Sequence, residues 1–448
     1  MKINRSRLEF KSSLAFLLAF FMCWQLAVGQ TSEPKVFSKE LSLGDAPSVA
    51  LELYQINVDV LPAKGNKVKI EMSYIADGKP EELKKLNEAI ESGILTGVLG
   101  GNRAQIDLAI QNNFDLEIMG MKWSKVVFKS NKKESIKLKE FKITKCQVWL
   151  PQTVMATIDA KYSKVNYESD IMGDLKLMLY DTQARFASVS GSVKGELKYS
   201  QVKLNTSDAI ELSLYETKLA CGETTAFNME AKYSNIQAGN ATSLQLDMYE
   251  GRFSAGTVQT ATISQKYAQL QLASVGDFRL AGYEGRCTLE KVGDMTIDAK
   301  YMRFNADEVD QLTLRDAYEN QLSIGLLNQL NSHDGKYNTF NIDRVNQSIK
   351  LSGYEDEVNI GALSSTFKQV KLSGKYIEAS IAMQAPQPYH LKGEGQYFDL
   401  DIDDDVYATR TKIGDSNRLT FHYEYLNVNE SSPLIELDGY ELEVTISH

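Results

Sequence analysis

The sequence predicts an all-β protein: a parallel β-solenoid of about 17-residue units, preceded by an N-terminal β cap that carries one helix. The first observation is a fixed repeat period over much of the chain. The second is that apolar and polar residues alternate within each unit, which is the period of a strand. The third is the lack of Asn-Gly and Asp-Gly pairs in the seven clearest units. Two-residue hairpin turns favour such pairs, so stacked coils are favoured over the alternative, an antiparallel meander of hairpins.

Residues 1–29 have the pattern of a secretory signal peptide. Four basic residues precede the apolar run "SSLAFLLAFFMCWQLAVG", and Ala27 and Gly29 lie just before a cleavage point at Gln30. A membrane anchor is the alternative, but the run is shorter than the roughly 20 apolar residues of a membrane span. No later segment is apolar enough to span a bilayer as a helix. We therefore expect an exported protein without a transmembrane span after cleavage.

The charge and the sparse cysteines and histidines exclude several classes of protein. The formal net charge is −10, and residues 1–29 hold four basic residues and one acidic residue, so the exported chain is still more acidic. An acidic chain argues against nucleic acid as a partner. Cleavage leaves an odd set of three cysteines, which is not a disulfide framework. The histidines show no metal-ligand spacing; they are His333, His390, His422 and His448.

Residues 30–154 predict an N-terminal β cap with a helical insertion. "SVALELYQINVDVLPA" and "NKVKIEMSYI" predict a pair of strands, and "KPEELKKLNEAIESGIL" from Lys79 predicts the helix. A proline near its start and acidic residues in its first turn are typical of a helix N-terminus. Further strands are predicted for "RAQIDLAIQ", "KVVFKS", "IKLKEFKI" and "CQVWLP". Repeat arrays need capped ends to stay soluble.

Residues 155–383 form the predicted repeat array. Seven consecutive units keep the 17-residue spacing without insertion, and looser copies extend in both directions. Four positions in each unit are mostly apolar and would form columns in a stack. One such column holds Leu197, Leu214, Ala231, Met248, Gln265, Gly282 and Ala299. Cys221 and Cys287 fall in apolar columns, which predicts that both are small buried residues rather than reactive thiols.

A corner is predicted between the two strands of each unit, because the apolar residues on either side of it are five apart. A straight strand would need an even step, so one extra residue makes a bend or bulge. The corners alternate between Lys-Tyr-small, as at Lys232, and Tyr-Glu-small, as at Tyr249. In a stack the tyrosines would separate like charges, and each lysine would lie beside a ring. The small third residue suits a bend.

These corners supply the candidate binding ladder, with a structural surface ladder as the other interpretation. An aromatic strip of this kind could take a glycan or a protein partner. The residues of the candidate ladder are Lys232, Tyr233, Tyr249, Glu250, Lys266, Tyr267 and Tyr283.

Residues 384–448 predict final β coils or a C-terminal cap. The segment contains "DLDIDDD", in which Asp401 to Asp405 could bind Ca²⁺, although the EF-hand spacing is missing and a solvated acidic edge is the other interpretation. No catalytic residue is predicted anywhere. There is no Ser-His-Asp order, phosphate loop or nucleophile elbow, and nothing singles out two carboxylates for glycoside chemistry. No cofactor or metal is predicted.

The chain resembles bacterial envelope proteins with β-strand repeats of unknown function, which are related to the adhesin-labelled head GIN domains. The resemblance lies in "VALELYQINVDVLPAKGNKVKIEM", "CQVWLPQTVMATIDAKYSKVNYES" and the recurring "KYS" and "YEG" units. It implies a β-helix outside the cytoplasm and an adhesin-like label, and it offers no known catalytic residues to assign in this chain. This chain differs in its corner sequences, since many relatives have Gly/Ser-Gly-Asp turns there, and in the helix near residue 80.

Together these observations predict an exported non-enzymatic β-solenoid that acts as an adhesin-like or envelope interaction module. The expected location is the periplasm or cell surface of a Gram-negative-type bacterium, and the expected partner is a glycan or an envelope protein. Two alternatives stay open: a carbohydrate-active enzyme on a β-helix, and a self-assembling envelope scaffold. The oligomeric state is left open.

Overall fold

The protein is mostly β-structure. The structure, a computed structural model, describes residues 33–45, 47–97, 102–114, 124–128, 135–402, 406–415 and 418–448, so the predicted signal peptide lies outside it. Within these ranges there is one helix, and most strands belong to one long sheet with both parallel and antiparallel pairings. No helix in the described ranges is long and apolar enough to cross a membrane.

The N-terminal part contains the predicted helix and strands. Helix α1 begins at Pro80 after the N-cap residue Lys79, has Glu81 and Glu82 in its first turn and buries Leu86. This confirms the helix prediction. The elements of this part are β1 Lys35–Ser42, β2 Ser48–Tyr54, β3 Asn57–Pro62, β4 Lys67–Asp77, α1 Pro80–Gly93, β5 Leu95–Gly97, β6 Arg103–Leu108, β7 Ile110–Phe114, β8 Ser124–Phe128, β9 Ile136–Leu138 and β10 Glu140–Leu150.

The repeat region continues as short strands that merge into longer runs. One run of 78 residues is extended throughout but bends at each corner. The strands are β11 Met155–Lys161, β12 Lys164–Tyr167, β13 Leu175–Tyr180, β14 Gln183–Phe186, β15 Val189–Lys198, β16 Gln201–Leu204, β17 Ser207–Tyr215, β18 Lys218–Cys221, β19 Thr224–Gln237, β20 Ala241–Tyr318, β21 Gln321–Lys336, β22 Thr339–Tyr354, β23 Glu357–Leu363, β24 Gln369–Lys375 and β25 Glu378–Met383.

Successive units pair in parallel and in register. Leu197 pairs with Leu214, which pairs with Ala231, which pairs with Met248. The sequence column is therefore a physical column. The strands after the corner pair in the same way, as β16 does with β18. Neighbouring units at these positions are not antiparallel hairpins, so the meander alternative is wrong there.

The apolar columns form the core. Leu197, Val202 and Phe253 are each at most 2% exposed, and alternate residues along each strand face outwards. Cys221 and Cys287 are buried, which confirms their prediction as small core residues. Cys146 is also a buried free thiol.

The bend in each corner lies one residue earlier than predicted. The second corner residue has a positive φ, for example 53° at Tyr233 and 52° at Glu250. The third residue, which was expected to make the bend, instead points into the core, and Ser234 is 0% exposed. Its small size suits burial. Its oxygen accepts a hydrogen bond from the neighbouring corner, since the Thr217 N–H donates to Ser234 Oγ at 3.1 Å.

The two ends of the array are closed by strands that leave the simple repeat order. Strands β2 and β3 lie far from β11 and β12 in sequence but pair with them in parallel, and their corner residue Gln55 also has a positive φ. Beyond them, β10 pairs antiparallel with β4, and β4 pairs antiparallel with β1.

The C-terminal strands reverse their order in space. The strands of this part are β26 Tyr389–Gln396, β27 Asp399–Ile402, β28 Tyr407–Asp415, β29 Arg418–Tyr425, β30 Leu434–Tyr440 and β31 Glu443–Ser447. Strand β30 pairs in parallel with both β24 and β26, so the end of the chain lies between two earlier units. Strand β31 is placed in the same way between β25 and β27. The antiparallel pairing of β26, β29 and β28 then closes this end.

Candidate functional site

Sixteen corner tyrosines form one continuous row of touching rings, here called the tyrosine ladder. Consecutive ring centroids are 5.2–5.9 Å apart and the ring planes cross at 72–86°, so every contact is edge-to-face. In spatial order the rings are Tyr54, Tyr162, Tyr180, Tyr199, Tyr215, Tyr233, Tyr249, Tyr267, Tyr283, Tyr301, Tyr318, Tyr337, Tyr354, Tyr376, Tyr440 and Tyr397.

The alternation of corner sequences explains this geometry. Tyrosine is the second corner residue in one unit, as at Tyr233, and the first in the next, as at Tyr249. Neighbouring rings therefore leave the backbone from different positions and can cross at a steep angle. Edge-to-face contact places the positive ring edge against the negative face of the next ring, which is the favoured arrangement. The ladder is half-exposed: Tyr233 is 43% exposed and Tyr267 is 44% exposed.

Glutamates fix the hydroxyl groups of some of these rings. The hydroxyl of Tyr318 is hydrogen-bonded to Glu319, and that of Tyr354 is hydrogen-bonded to Glu355. This hydrogen bond, followed by partial burial and the glutamate charge, raises the pKa of Tyr318 and of Tyr354 to about 12. These hydroxyls stay protonated at neutral pH.

The structure places the predicted ladder residues at successive corners but changes their contacts. Tyr233, Tyr249, Tyr267 and Tyr283 touch one another in that order, while Lys232, Glu250 and Lys266 are exposed beside them. The expected contact of each lysine with a ring is wrong: the one cation–π contact among the described residues joins Lys69 and Trp149. The rings contact one another instead.

A shallow groove of about 700 Å³, here called the basic groove, runs across the successive strands that follow the corners. Residues of the buried column that includes Val202 and Phe253 border it, and its polar lining comes from the outward residues of β16, β18, β19 and β20. The outward residues are Gln201, Lys203, Lys218, Ala220, Asn235, Gln237, Arg252, Ser254, Gln269, Gln271, Arg286 and Thr288.

The groove is basic although the protein is acidic. The described residues that line it include no Asp or Glu. Its four cations are Lys203, Lys218, Arg252 and Arg286, all exposed, and among the described residues none of them forms an ion pair. Unpaired cations in a concave surface concentrate a local positive potential even where the net charge is negative. An anionic ligand would supply the missing partners.

Three of the four groove cations, Lys218, Arg252 and Arg286, belong to one column, which was missed at the sequence level; Lys203 lies in the neighbouring outward column. Asn235 pairs with Lys218 on one side and with Arg252 on the other, so amides separate the cations along the stack. The signal was visible as the fourth corner residue: Gln201, Lys218, Asn235, Arg252, Gln269, Arg286. Only parallel pairing shows that these residues share one face. The groove starts two or three residues after the corner tyrosines, so ladder and groove lie side by side.

The other predicted features do not assemble a second site near the groove. Asp401 lies on β27, while Asp403 to Asp405 fall outside the described residues. Burial raises the pKa of Cys146 and of Cys221 to about 12, which keeps both thiols protonated.

Two of the histidines do meet: His390 and His422 lie with Glu424 on the C-terminal cap. Their spacing of 32 residues gave no sign of this, because the antiparallel pairing of β26 and β29 brings them together.

Comparisons with known proteins identify no family for this chain. No family model matches it, and no curated protein matches it. A search of solved structures found a crystal structure described as a "putative cell adhesion protein" from Clostridium sporogenes. It shares 10% sequence identity with this chain, covers 93% of this chain and 99% of its own, and has a TM-score of 0.16. A likeness at that TM-score supports no conclusion about fold or function.

Proposed function

We propose that this protein is an exported, non-enzymatic parallel β-solenoid that binds an anionic linear glycan of the cell envelope or its surroundings. The basic groove is the observation that carries this proposal. It offers four unpaired cations and several side-chain amides on one concave face, and amides and cations are the donors that carboxylate or sulfate groups and sugar hydroxyls require. The adjacent tyrosine ladder would provide aromatic surface along the same axis.

The repetition of the groove favours a polymer over a compact anion. Lys218, Arg252 and Arg286 recur every second unit. At a strand spacing of about 4.8 Å, cations two strands apart are roughly 10 Å apart. A linear polymer with regularly spaced charges would pair with all of them at once, while a single small anion would contact only one or two.

The lining of the groove supports binding without turnover. Glycoside hydrolysis normally uses two carboxylates placed on either side of the scissile bond. No carboxylate is present among the described lining residues. A carbohydrate-active enzyme is the alternative, and it predicts shortening of a bound polysaccharide.

The test is binding of polygalacturonate and heparin, measured by isothermal titration calorimetry, with the double variant Arg252→Gln, Arg286→Gln. We expect the variant to lose at least tenfold in affinity, and the wild-type affinity to fall as salt is raised, because exposed charge pairs are screened. The matched control is Arg279→Gln, Lys291→Gln. It removes the same charge from residues that pair with Asp277 and Glu308 outside the groove.

Three outcomes would contradict the proposal. Equal loss in both double variants would show that only the net charge matters, and absence of binding to either polymer would remove the ligand class. Shortening of the polymer on a sizing column would contradict the non-enzymatic assignment. The second alternative, a self-assembling scaffold, predicts filaments instead of a monomer by size-exclusion chromatography with light scattering.

The ladder is tested separately by replacing Tyr233, Tyr249 and Tyr267 with Ser. If the ladder contacts ligand, binding weakens while the thermal midpoint changes little. If its role is structural, the midpoint falls and binding per folded molecule is retained. The corresponding Tyr→Phe triple variant keeps the rings and distinguishes loss of the aromatic contacts from loss of the hydroxyls.

The family and the location belong to the same proposal. The secretory pattern of residues 1–29 and the repeated outer surface support an exported adhesin-like protein that is related to the β-strand-repeat envelope proteins. Expression of the full chain with a C-terminal tag, followed by cell fractionation, tests the location. Recovery in the cytoplasm at full length would contradict export.

A further inference from the structure

Three potential metal ligands converge on the outer face of the C-terminal cap. His390 lies on β26, and His422 and Glu424 lie on β29. In the antiparallel pairing of these strands His390 lies opposite Glu424, and His422 is two residues away on the same face. The inward-facing neighbours Leu391, Phe421 and Tyr425 are buried, which holds the backbone of the three residues in place.

The distances match one triangular face of a tetrahedron. His390 Nδ1 and His422 Nε2 are 3.4 Å apart, and Glu424 Oε1 is 3.8 Å from the first and 3.7 Å from the second. Ligands about 2.1 Å from a tetrahedral Zn²⁺ are roughly 3.4 Å apart. Ligands in adjacent octahedral positions at about the same distance would be roughly 3.0 Å apart, which is farther from the observed spacing. The three atoms therefore need to move little to take up a tetrahedral ion.

A second interaction orients one of the imidazoles for this role. His390 Nε2 lies 3.3 Å from the carbonyl oxygen of Asn429. If Nε2 carries the proton and donates it to that oxygen, Nδ1 presents its lone pair to the other two ligands. Histidines that bind metals usually donate their other N–H to a carbonyl or carboxylate in this way.

The carbonyl itself is held by a structured loop. The Asn429 N–H donates to Ser432 Oγ at 2.9 Å, and the Ser431 N–H donates to Asn429 Oδ1 at 2.9 Å. The outer partner of His390 is thus fixed independently of any ligand. The site is also accessible, since the side chains of His390, Glu424 and His422 are 20%, 26% and 36% exposed.

We propose that His390, His422 and Glu424 form a binding site for a divalent transition metal of the Zn²⁺ class. Two imidazole nitrogens and one carboxylate oxygen occupy three positions, and the fourth faces solvent and is open to water or to an external ligand. The site lies on the cap and does not depend on the glycan proposal, because it shares no residue with the basic groove.

The test is titration of the metal-stripped full chain with Zn²⁺ by calorimetry. We expect one Zn²⁺ per chain, and at least tenfold weaker binding in His390→Gln, His422→Gln and Glu424→Gln. His333→Gln is the matched control, since His333 is exposed and lies on β21, outside this cap. Circular dichroism checks that each variant is folded, which is expected because all three side chains face outwards.

Co²⁺ supplies an independent measurement of geometry. In wild type it should give the strong visible absorption of tetrahedral Co²⁺, and the His422→Gln variant should lose it. The proposal is overturned if about 0.1 mM Zn²⁺ does not bind, if the three variants bind as tightly as wild type, or if bound Co²⁺ shows only weak octahedral absorption.

Discussion

Buried polar side chains form a hydrogen-bonded column beneath the corners. Asn320 Oδ1 accepts a hydrogen bond from the Met302 N–H, and Asn338 Oδ1 accepts one from the Asn320 N–H. Each amide also donates from Nδ2 to a carbonyl oxygen 21 residues earlier, that of Ala299 or Ala317. Asp356 continues this column and is 1% exposed. Its Oδ1 accepts two hydrogen bonds from Asn338, but its Oδ2 has no hydrogen-bond partner among the described residues.

The charge of Asp356 is therefore unfavourable in the folded protein. Burial raises the pKa of its carboxyl group to about 6, and the two hydrogen bonds from Asn338 only partly oppose this. Asn320 and Asn338 each donate from Nδ2 to the carbonyl oxygen 21 residues earlier. At Asp356 the equivalent carbonyl is that of Gly335, and Oδ2 occupies the position of the donor. A carboxylate oxygen cannot donate, but an amide nitrogen or a protonated carboxyl group can.

Asp356→Asn should accordingly stabilise the protein at pH 7 by about 1–3 kcal/mol. Because the folded-state pKa is above the unfolded value of about 3.9, wild type gains stability as the pH falls from about 6 towards 4, and loses that gain as the pH rises. The difference in the free energy of unfolding between variant and wild type should therefore shrink as the pH falls over this range. Urea unfolding at pH 4.5 and pH 7 measures it, with exposed Asp343→Asn as control. A destabilised variant at pH 7 would contradict the assignment.

Each strand–corner–strand unit contains a residue in the left-handed conformation, which the sequence pattern did not predict directly. The five-residue step predicted an extra residue, and the structure shows that this residue bends the chain with a positive φ at the second corner position. The residue at this position is Tyr or Glu in most units. Because positive φ is unfavourable for residues with a Cβ atom, the same backbone strain recurs in unit after unit along the stack. Every second ring of the tyrosine ladder comes from this position, and the rings between them come from the residue before it.

A β-branched residue at this position should be costly. We expect Glu250→Ile to lower the free energy of unfolding by about 1–2 kcal/mol, since φ is 52° there and branching at Cβ disfavours positive φ. Glu230→Ile is the control, because Glu230 is exposed in the regular part of β19 and should change stability by less than about 0.5 kcal/mol. Chemical denaturation of both variants measures the difference, and equal stability of the two would refute a strained corner at residue 250.

Across the molecule, the arrangement of the two ends protects a stack that would otherwise expose open strand edges. Parallel stacking leaves an unpaired strand at each end, which is a template for association with other chains. Antiparallel strands cover both ends, and at the C-terminal end β30 and β31 lie between units that precede them in the chain. The last residues thus join the outer strands to the array.

Deletion of residues 434–448 should disrupt the C-terminal end. It removes the strands that pair with β24 and β25 on one side and with β26 and β27 on the other, so both sets of edges become exposed. We expect a lower thermal midpoint and self-association, measured by scanning calorimetry and light scattering. Leu437→Ala is the comparison, since it only opens a cavity in the core and should cost about 2–5 kcal/mol without association. A monomeric deletion variant with the wild-type midpoint would show that these strands do not secure the end.

The candidate site was only partly predictable. Tyr233, Tyr249, Tyr267 and Tyr283 were found because a corner motif alternates visibly with the repeat. Lys218, Arg252 and Arg286 follow the same alternation, but no local pattern distinguishes a groove-lining residue from any other exposed residue. His390, His422 and Glu424 carried no signal at all, because their proximity depends on the register between β26 and β29.

The amino-acid pattern alone determined the β-structure, the repeat unit, the inward columns and helix α1. Those features depend on spacing along the chain, since a period of two assigns each side chain to a face and a fixed repeat aligns the faces. The tertiary structure decided where the corner bends, which unit the last strands join, and which cations and histidines meet. These depend on hydrogen-bond register between strands distant in sequence, where a shift of one residue would turn every side chain to the other face.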